Sequence, residues 1–368
     1  MRKKRINLLI LCLLLIFSLV GCNPKESSKD GETSKNITIT DMVGREVSLK
    51  EKANKVVAIG PGALRLYCYV GSEEKVAGIE QLEKDNPKGR PYTIANPLLS
   101  ELPIIGPGGP NNSPDAEKIL AVKPDVIFTT YGADKSVVDE LQQKTGIPVV
   151  ALSYGKVSTF DPKVYQSLEI IGKVICDDKR AEEAVKFMKT CEDDLKDRTK
   201  DIQDSEKLKA YVGGLSAKGS HGIESTQGNY SLFNAVNAKN VVDETGKNGS
   251  VMIDKEKLIQ WNPDRLFIDF SGLNIIKEDY KKNPDFYNNI AAFKNGELYS
   301  LLPYNFYTTN IDTAMADAYY IGKVLFPEKF KDIDPEKKAD EIYKSLLGKE
   351  LYEQMAKDFG KFQKLTMK

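Results

Sequence analysis

The sequence predicts an α/β protein made of two Rossmann-like lobes with mostly parallel sheets, joined by a long rigid α-helix. Three observations predict it. Short apolar runs alternate with helical patterns over most of the 368 residues, as parallel βαβ units require. Between Lys173 and Gln203 the alternation stops, and charged and apolar residues recur at helical spacing with no Pro or Gly. Finally, residues 115–132 (DAEKILAVKPDVIFTTYG) return at 254–271 as DKEKLIQWNPDRLFIDFS. At a constant offset of 139, Asp115/Asp254, Glu117/Glu256, Lys118/Lys257, Pro124/Pro263, Asp125/Asp264 and Phe128/Phe267 are identical. Each copy reads as a short acidic-headed helix, a Pro-Asp turn and a buried strand, so one lobe echoes the other.

In chain order, Arg2, Lys3, Lys4 and Arg5 precede the apolar run Leu8 to Val20. That run is shorter than the ~20 residues of a membrane span and suits a secretory signal. It ends in Leu19-Val20-Gly21-Cys22, which resembles the bacterial lipobox and implies cleavage before Cys22 and lipidation of its thiol. Residues 1–21 are thus expected to be a lipoprotein signal peptide. Residues 22–36 would be the lipidated cysteine and a polar tether without large apolar side chains. Strands are expected at Val56–Gly60, Lys75–Ile79, Val126–Thr130 and Val149–Leu152, within an N-terminal lobe of residues 37–160. A connecting helical segment spans 161–205. A C-terminal lobe of residues 206–368 holds strands at Ala210–Gly213, Asn240–Val242, Leu266–Phe270 and Leu298–Leu301.

Composition excludes several functions. Lys+Arg and Asp+Glu both number 53, and loss of the basic head leaves the mature chain slightly acidic, so no nucleic acid is expected as a partner. A single histidine excludes a His-rich metal site and allows only one His-based triad. No Gly-x-Ser-x-Gly elbow is present. The chain is therefore expected not to be an enzyme, with a lipid-anchored hydrolase as the rejected alternative. After Cys12 and Cys22, three cysteines remain: Cys68, Cys176 and Cys191. Free, mostly buried thiols are expected, with a Cys176–Cys191 bridge left open.

Ligands of open α/β sheets bind beyond the carboxyl ends of strands, so candidate site residues are those at the strand ends. Gly60-Pro61-Gly62 follows the first strand and opens a helix, with Arg65 one turn inside. Pro61, Gly62 and Arg65 are placed to hold an anionic group at a positive helix end. Tyr131, Tyr154, Phe270, Tyr304, Phe306 and Tyr307 gather where strands end. Phenolic oxygens suit Fe(III), and aromatic faces suit flat macrocycles or catecholates. The turns at Tyr131 and Phe270, equivalent in the repeat, are expected to face each other across a cleft. The lone His221 sits among glycines after the first strand of the second lobe, either as a metal ligand, as a polar ligand contact or as a structural loop residue. Tyr230, Asn305 and Asn310 complete the set.

The lipobox, the opening ITITDMVGREVSL followed by KVVAIGPGALRL, the repeated Pro-Asp-strand units and the long central helix together resemble the cluster-A substrate-binding proteins of ABC importers. GPGALRLYCY and GLSAKGSHGIEST resemble the haem/iron-complex branch. The resemblance implies a monomeric receptor, lipid-anchored on the extracytoplasmic face of the cell membrane, with no intrinsic cofactor. It would capture an Fe(III) chelate, a ferric siderophore ahead of haem, with a corrinoid or another metal chelate as the alternative. It would deliver this small molecule to an ABC permease dimer with its ATPase. In cobalamin-type relatives a glutamate on each lobe meets permease arginines, and Glu117 and Glu256 match those positions.

Overall fold

The computed structural model describes residues 36–367 apart from 86, 110, 111, 133, 157, 158 and 217. The basic head, the apolar run, Cys22 and the tether to residue 35 lie outside the described residues. Among the described residues no helix is long and apolar enough to cross a membrane.

A hairpin of β1 (Ile37–Thr40) and β2 (Glu46–Leu49) precedes the first lobe. The lobe is a parallel sheet of β3 (Val56–Ile59), β4 (Val76–Gly78), β5 (Val126–Thr129) and β6 (Val149–Ala151), in the order β4-β3-β5-β6. The second lobe contains β7 (Lys209–Gly213), β8 (Ser225–Gly228), β9 (Lys239–Asn240), β10 (Gly249–Met252), β11 (Arg265–Asp269) and β12 (Leu298–Leu301). Its parallel sheet runs β12-β11-β7-β9, while β8 and β10 form a separate antiparallel pair. Mapping β3, β4, β5 and β6 onto β7, β9, β11 and β12 makes the two sheet orders identical.

The repeat is built the same way twice. Asp115 and Asp254 cap helices Ala116–Val122 and Lys255–Trp261, accepting from the backbone of Lys118 and Glu256. Both helices end in a left-handed residue, Lys123 at φ 48° and Asn262 at φ 45°. The following Pro-Asp turns are tied to the neighbouring strand. Asp125 Oδ2 accepts from the N–H of Asn54 and Lys55, and Asp264 Oδ2 from that of Lys209.

Strand alternation explains how the lobes are held. Side chains of successive strand residues point to opposite sheet faces. Val56, Ala58, Val126 and Phe128 of the first sheet, with Ala210, Val212 and Phe267 of the second, join one continuous apolar core. Val57, Ile59 and Ile127 on one side, and Tyr211, Leu266 and Ile268 on the other, pack into two separate outer cores. Helices fill the shared core. The expected connecting segment is a helix pair, Pro162–Ile175 and Asp178–Thr199, packed on each other. Cys176 breaks it in a left-handed conformation, and Asp177 caps the second helix. That 22-residue helix spans ~33 Å. Helix Pro335–Leu347 then packs against helix Pro91–Ala95 of the first lobe. Phe270 is not the last residue of its strand, because Asp269 accepts from the Ser271 N–H at 2.8 Å and starts helix Phe270–Lys282 there. Cys68, Cys176 and Cys191 are free thiols, and Cys176 alone of the three is exposed.

The matched turns carry measurable stability. Asp125→Ala and Asp264→Ala should each lower the unfolding free energy, by ~0.5–1.5 kcal/mol per lost hydrogen bond. Asp125→Ala should cost more because it strands two backbone donors rather than one. Urea denaturation measures both, and negligible costs would show that the turns do not hold the sheets.

Candidate functional site

The carboxyl ends of both parallel sheets face one seam, and the loop between β12 and helix Ile311–Leu325 crosses it. Phe306, Tyr307 and Thr308 of this loop lie on the first lobe. Arg65, fully buried, receives them. Its Nε donates to Asn310 Oδ1 at 2.7 Å, Nη2 to the Phe306 carbonyl at 2.6 Å, and Nη1 to Tyr154 Oη at 3.1 Å and the Tyr307 carbonyl at 3.4 Å. The guanidinium also lies 4.7 Å from the centroid of the Tyr92 ring. Asn310 in turn donates to the Gly89 carbonyl.

This arrangement corrects part of the sequence reading. Arg65 clamps the lobes and does not offer its fork to a ligand. Tyr154 is committed too, accepting from Arg65 and donating to the Gly62 carbonyl at 3.0 Å. The Gly60–Gly62 turn is covered, not open. Gly62 has φ 76°, and a Cβ there would lie 2.6 Å from Thr308 Cγ2 and collide with the Tyr154 phenol. Pro61 is half-buried, with its carbonyl on Thr130 Oγ1 at 3.0 Å. Tyr230 is fully buried against Phe233, beneath the seam. Phe270 packs on Gly360. The aromatic that meets Tyr131 is Tyr307. Their phenol oxygens are 3.0 Å apart, and both bond to the buried Glu80, which the sequence reading missed. Burial raises the Glu80 carboxyl above its ordinary range, against the pull of hydrogen bonds from Gly60, Tyr131 and Tyr307.

Beside the crossing loop lies a cavity of about 260 Å³. Tyr304, Asn305 and Thr309 line it. Lys156 enters from the turn after β6, and Ser216, Gln227, Ser231 and Ser250 come from the second lobe. Asn305 is fixed by donating to the Ser216 carbonyl at 2.7 Å. These polar groups were not anticipated, although Lys156 and Ser216 stand at strand ends and the same rule finds them. The wall offers hydroxyls, amides and one cation, a set that suits an oxygen-rich anion. His221 is half-buried in the loop after β7, its carbonyl against Gly272, and does not line this cavity. Among the described residues no three His, Cys, Asp or Glu side chains converge as a metal site. His221 would therefore hold a metal only together with phenols or the ligand's own donors.

Under Tyr304, the buried carboxyls Asp269 and Asp317 share an apolar pocket with Tyr230. Burial pushes Asp269 up to about 7 against its bonds from Ser271, and pushes Asp317 well above the carboxylate range.

Two equivalent α/β lobes, a helical spine and a ligand-sized cavity between the strand ends define a bilobal solute receptor. Residues 56–304 match the model of the family described as periplasmic binding protein, and the chain belongs to that family. It is 22% identical to the uncharacterized ABC transporter substrate-binding lipoprotein YvrC of Bacillus subtilis, over 90% of this chain and all of that one. It is 25% identical to the molybdate-binding protein MolA of Haemophilus influenzae, over 83% of this chain and 89% of that one. A periplasmic solute binding protein from Veillonella parvula has the same fold, with a TM-score of 0.70 at 21% identity, covering 88% of this chain and 96% of that one. The chain is thus a substrate-binding protein of the ABC-importer type.

Two measurements test this geometry. Arg65→Met should lower stability by ~3 kcal/mol or more, since each buried acceptor left unpaired costs ~1–3 kcal/mol; chemical denaturation without ligand decides, and an unchanged midpoint would remove the clamp. Asp269 gives a pH dependence with a defined sign. Between the unfolded carboxyl value of ~3.9 and the folded value of about 7, the folded chain holds a proton that the unfolded chain releases. Stability fully present near pH 4 is therefore lost as pH rises toward 7, and Asp269→Asn, which can keep the helix cap, should flatten that slope.

Proposed function

We propose that this chain is the lipid-anchored, extracytoplasmic receptor of an ABC importer, and that it captures an iron complex between its lobes. One observation supports the reading most: both sheets present their strand ends to a single seam, where a polar cavity is lined from both sides. The bound species in this reading is an Fe(III) chelate, a siderophore ahead of haem, held by Lys156, the hydroxyl wall and the phenols of the crossing loop. The cavity is smaller than the ~300–1,000 Å³ of sites for drug-sized ligands. A siderophore or haem would require the 304–309 loop to draw back.

That same small size favours a second reading, a compact oxyanion gripped by Lys156 and the surrounding hydroxyls. MolA is named for binding molybdate. Protein isolated from its own host, examined by native mass spectrometry, elemental analysis and visible absorption, separates the two. Stoichiometric iron with a chelator mass supports the iron reading, and a Soret band identifies haem. A tetrahedral oxyanion without iron would replace it by the second reading.

Delivery is proposed to run through the repeated helices. Glu117 and Glu256 are both exposed in their first turns. Three residues on, Leu120 and Ile259 are also repeat-equivalent, and they are 41% and 36% exposed. A pseudo-twofold receptor thereby presents the same acid and the same apolar knob to each half of a twofold permease. Glu117→Arg with Glu256→Arg should abolish uptake into cells while ligand affinity and thermal stability stay at wild-type values. Normal transport by the double variant would sink the assignment.

A further inference from the structure

The loop between β12 and helix Ile311–Leu325 has a fixed stem and a strained tip. Asn305 and Thr309 pair as an isolated antiparallel bridge, and the Asn310 N–H donates to the Tyr304 carbonyl at 2.7 Å. Tyr304, Thr309 and Asn310 are buried, whereas Phe306, Tyr307 and Thr308 between them are only half-buried. Tyr307 and Thr308 have φ 53° and 72°. That left-handed conformation is costly for any residue with a Cβ, and most of all for a β-branched one.

The contacts that hold the tip in this shape come from the first lobe. Arg65 donates to the carbonyls of Phe306 and Tyr307. The Gly109 N–H donates to Tyr307 Oη at 2.8 Å, and the same phenol meets Glu80 and Tyr131. The Phe306 ring covers Gly89, where a Cβ would collide with it, and its centroid lies 5.7 Å from that of Phe359. The Thr308 methyl lies against Gly62 in the same way. Three tip residues thus fill the first lobe's side of the seam, where the strand ends of an open α/β sheet ordinarily meet a ligand. Their neighbours Tyr304, Asn305 and Thr309 wall the cavity of about 260 Å³ that remains.

We propose that residues 306–308 are an autoinhibitory strap: the seated tip competes with the solute for the first lobe's strand ends, and a solute larger than the cavity binds only when the tip lifts about its Asn305–Thr309 stem. The proposal rests on the reading of the seam as the solute site. Lifting relaxes the left-handed pair, which favours it. It also strips Arg65 of two carbonyl acceptors and the Gly109 N–H of its phenol, which opposes it, although Arg65 keeps Asn310 and Tyr154. A buried cation requires replacement acceptors, so the solutes that displace the strap are those that bring anionic oxygens. The apparent affinity for such a solute is its intrinsic affinity reduced by the fraction of chains with the tip lifted. Loosening the seat therefore tightens binding, whereas removing a ligand contact weakens it.

The test uses the purified full chain, with hemin and the ferric complex of 2,3-dihydroxybenzoate as anionic probes larger than the cavity. Phe306→Ala takes the ring off Gly89 without altering the cavity wall, and Gly89→Ala expels the same ring from the other side. Each should tighten binding of whichever probe the wild-type chain takes by ~10-fold or more, since truncating a packed aromatic ring weakens its seat by at least that factor. Native-state hydrogen exchange without probe gives a second readout. Peptides spanning 304–310 should exchange through a local opening that is faster in both variants, while β11 and β12 keep their wild-type rates. Unchanged or weaker probe binding by the variants overturns the strap and leaves the receptor reading intact. Exchange of 304–310 only at the rate of global unfolding overturns it too. If neither probe binds any form, the iron reading fails and the exchange rates alone decide on the strap. If one variant does not fold, the other decides, together with exchange of the wild-type chain.

Discussion

The buried guanidinium of Arg65 is the constraint from which the seam is organised. A charge removed from water must be surrounded by acceptors, and the first lobe supplies only Tyr154. The remaining acceptors, Asn310 and two carbonyls, come from a loop some 240 residues further along the chain. Satisfying one side chain therefore fixes the path of the 304–310 loop. It covers the Gly60–Gly62 turn, sets the left-handed pair at Tyr307 and Thr308, and confines the open space to the polar cavity beside it. Arg65 does not touch that cavity, yet its bonds decide where the cavity walls stand.

The two lobes are alike in sheet order, helix caps and Pro-Asp turns, but they are not independent. One face of each sheet feeds the same apolar core, continued through the helix pair 162–199 and the C-terminal helices. The conserved plan of each lobe thus supplies equivalent outer surfaces, while the shared core ties their inner faces together. The differences between the lobes are concentrated at the strand ends: Glu80, Tyr131 and Lys156 on one side, hydroxyls and a histidine loop on the other.

Most of the scaffold was legible in the sequence because it rests on local periodicity. The β-branched runs at Val56 and Val126, the charged helical stretch after Asp178 and the repeated Pro-Asp units each carry their own signal. The β8–β10 pair was not legible, since STQG and GSVM lack the alternation that marks a half-buried strand. At the site, the structure sets Tyr304 and Asn305 at the polar cavity and Tyr131 and Tyr307 on Glu80. Strand-end reasoning misjudged Arg65, Tyr154, Tyr230 and Phe270 because a strand end tells where a residue starts, not what reaches it from elsewhere. Glu80 was missed for the same reason, being an acid after a short strand until two phenols from distant segments meet it.

The shared core also bears on release. Lobes that merge through a common interior, with helix 335–347 packed back onto the first lobe as a second strut, have no free hinge about which to swing open. Thermal fluctuation alone would then free a bound solute slowly, and the timing of discharge would pass to the transporter. If the two matched surface helices, one on each lobe, dock on a permease as proposed, a membrane partner would gain leverage there. Torque applied there would act across the seam, and in that reading unloading would be a mechanical event driven by the importer's own cycle.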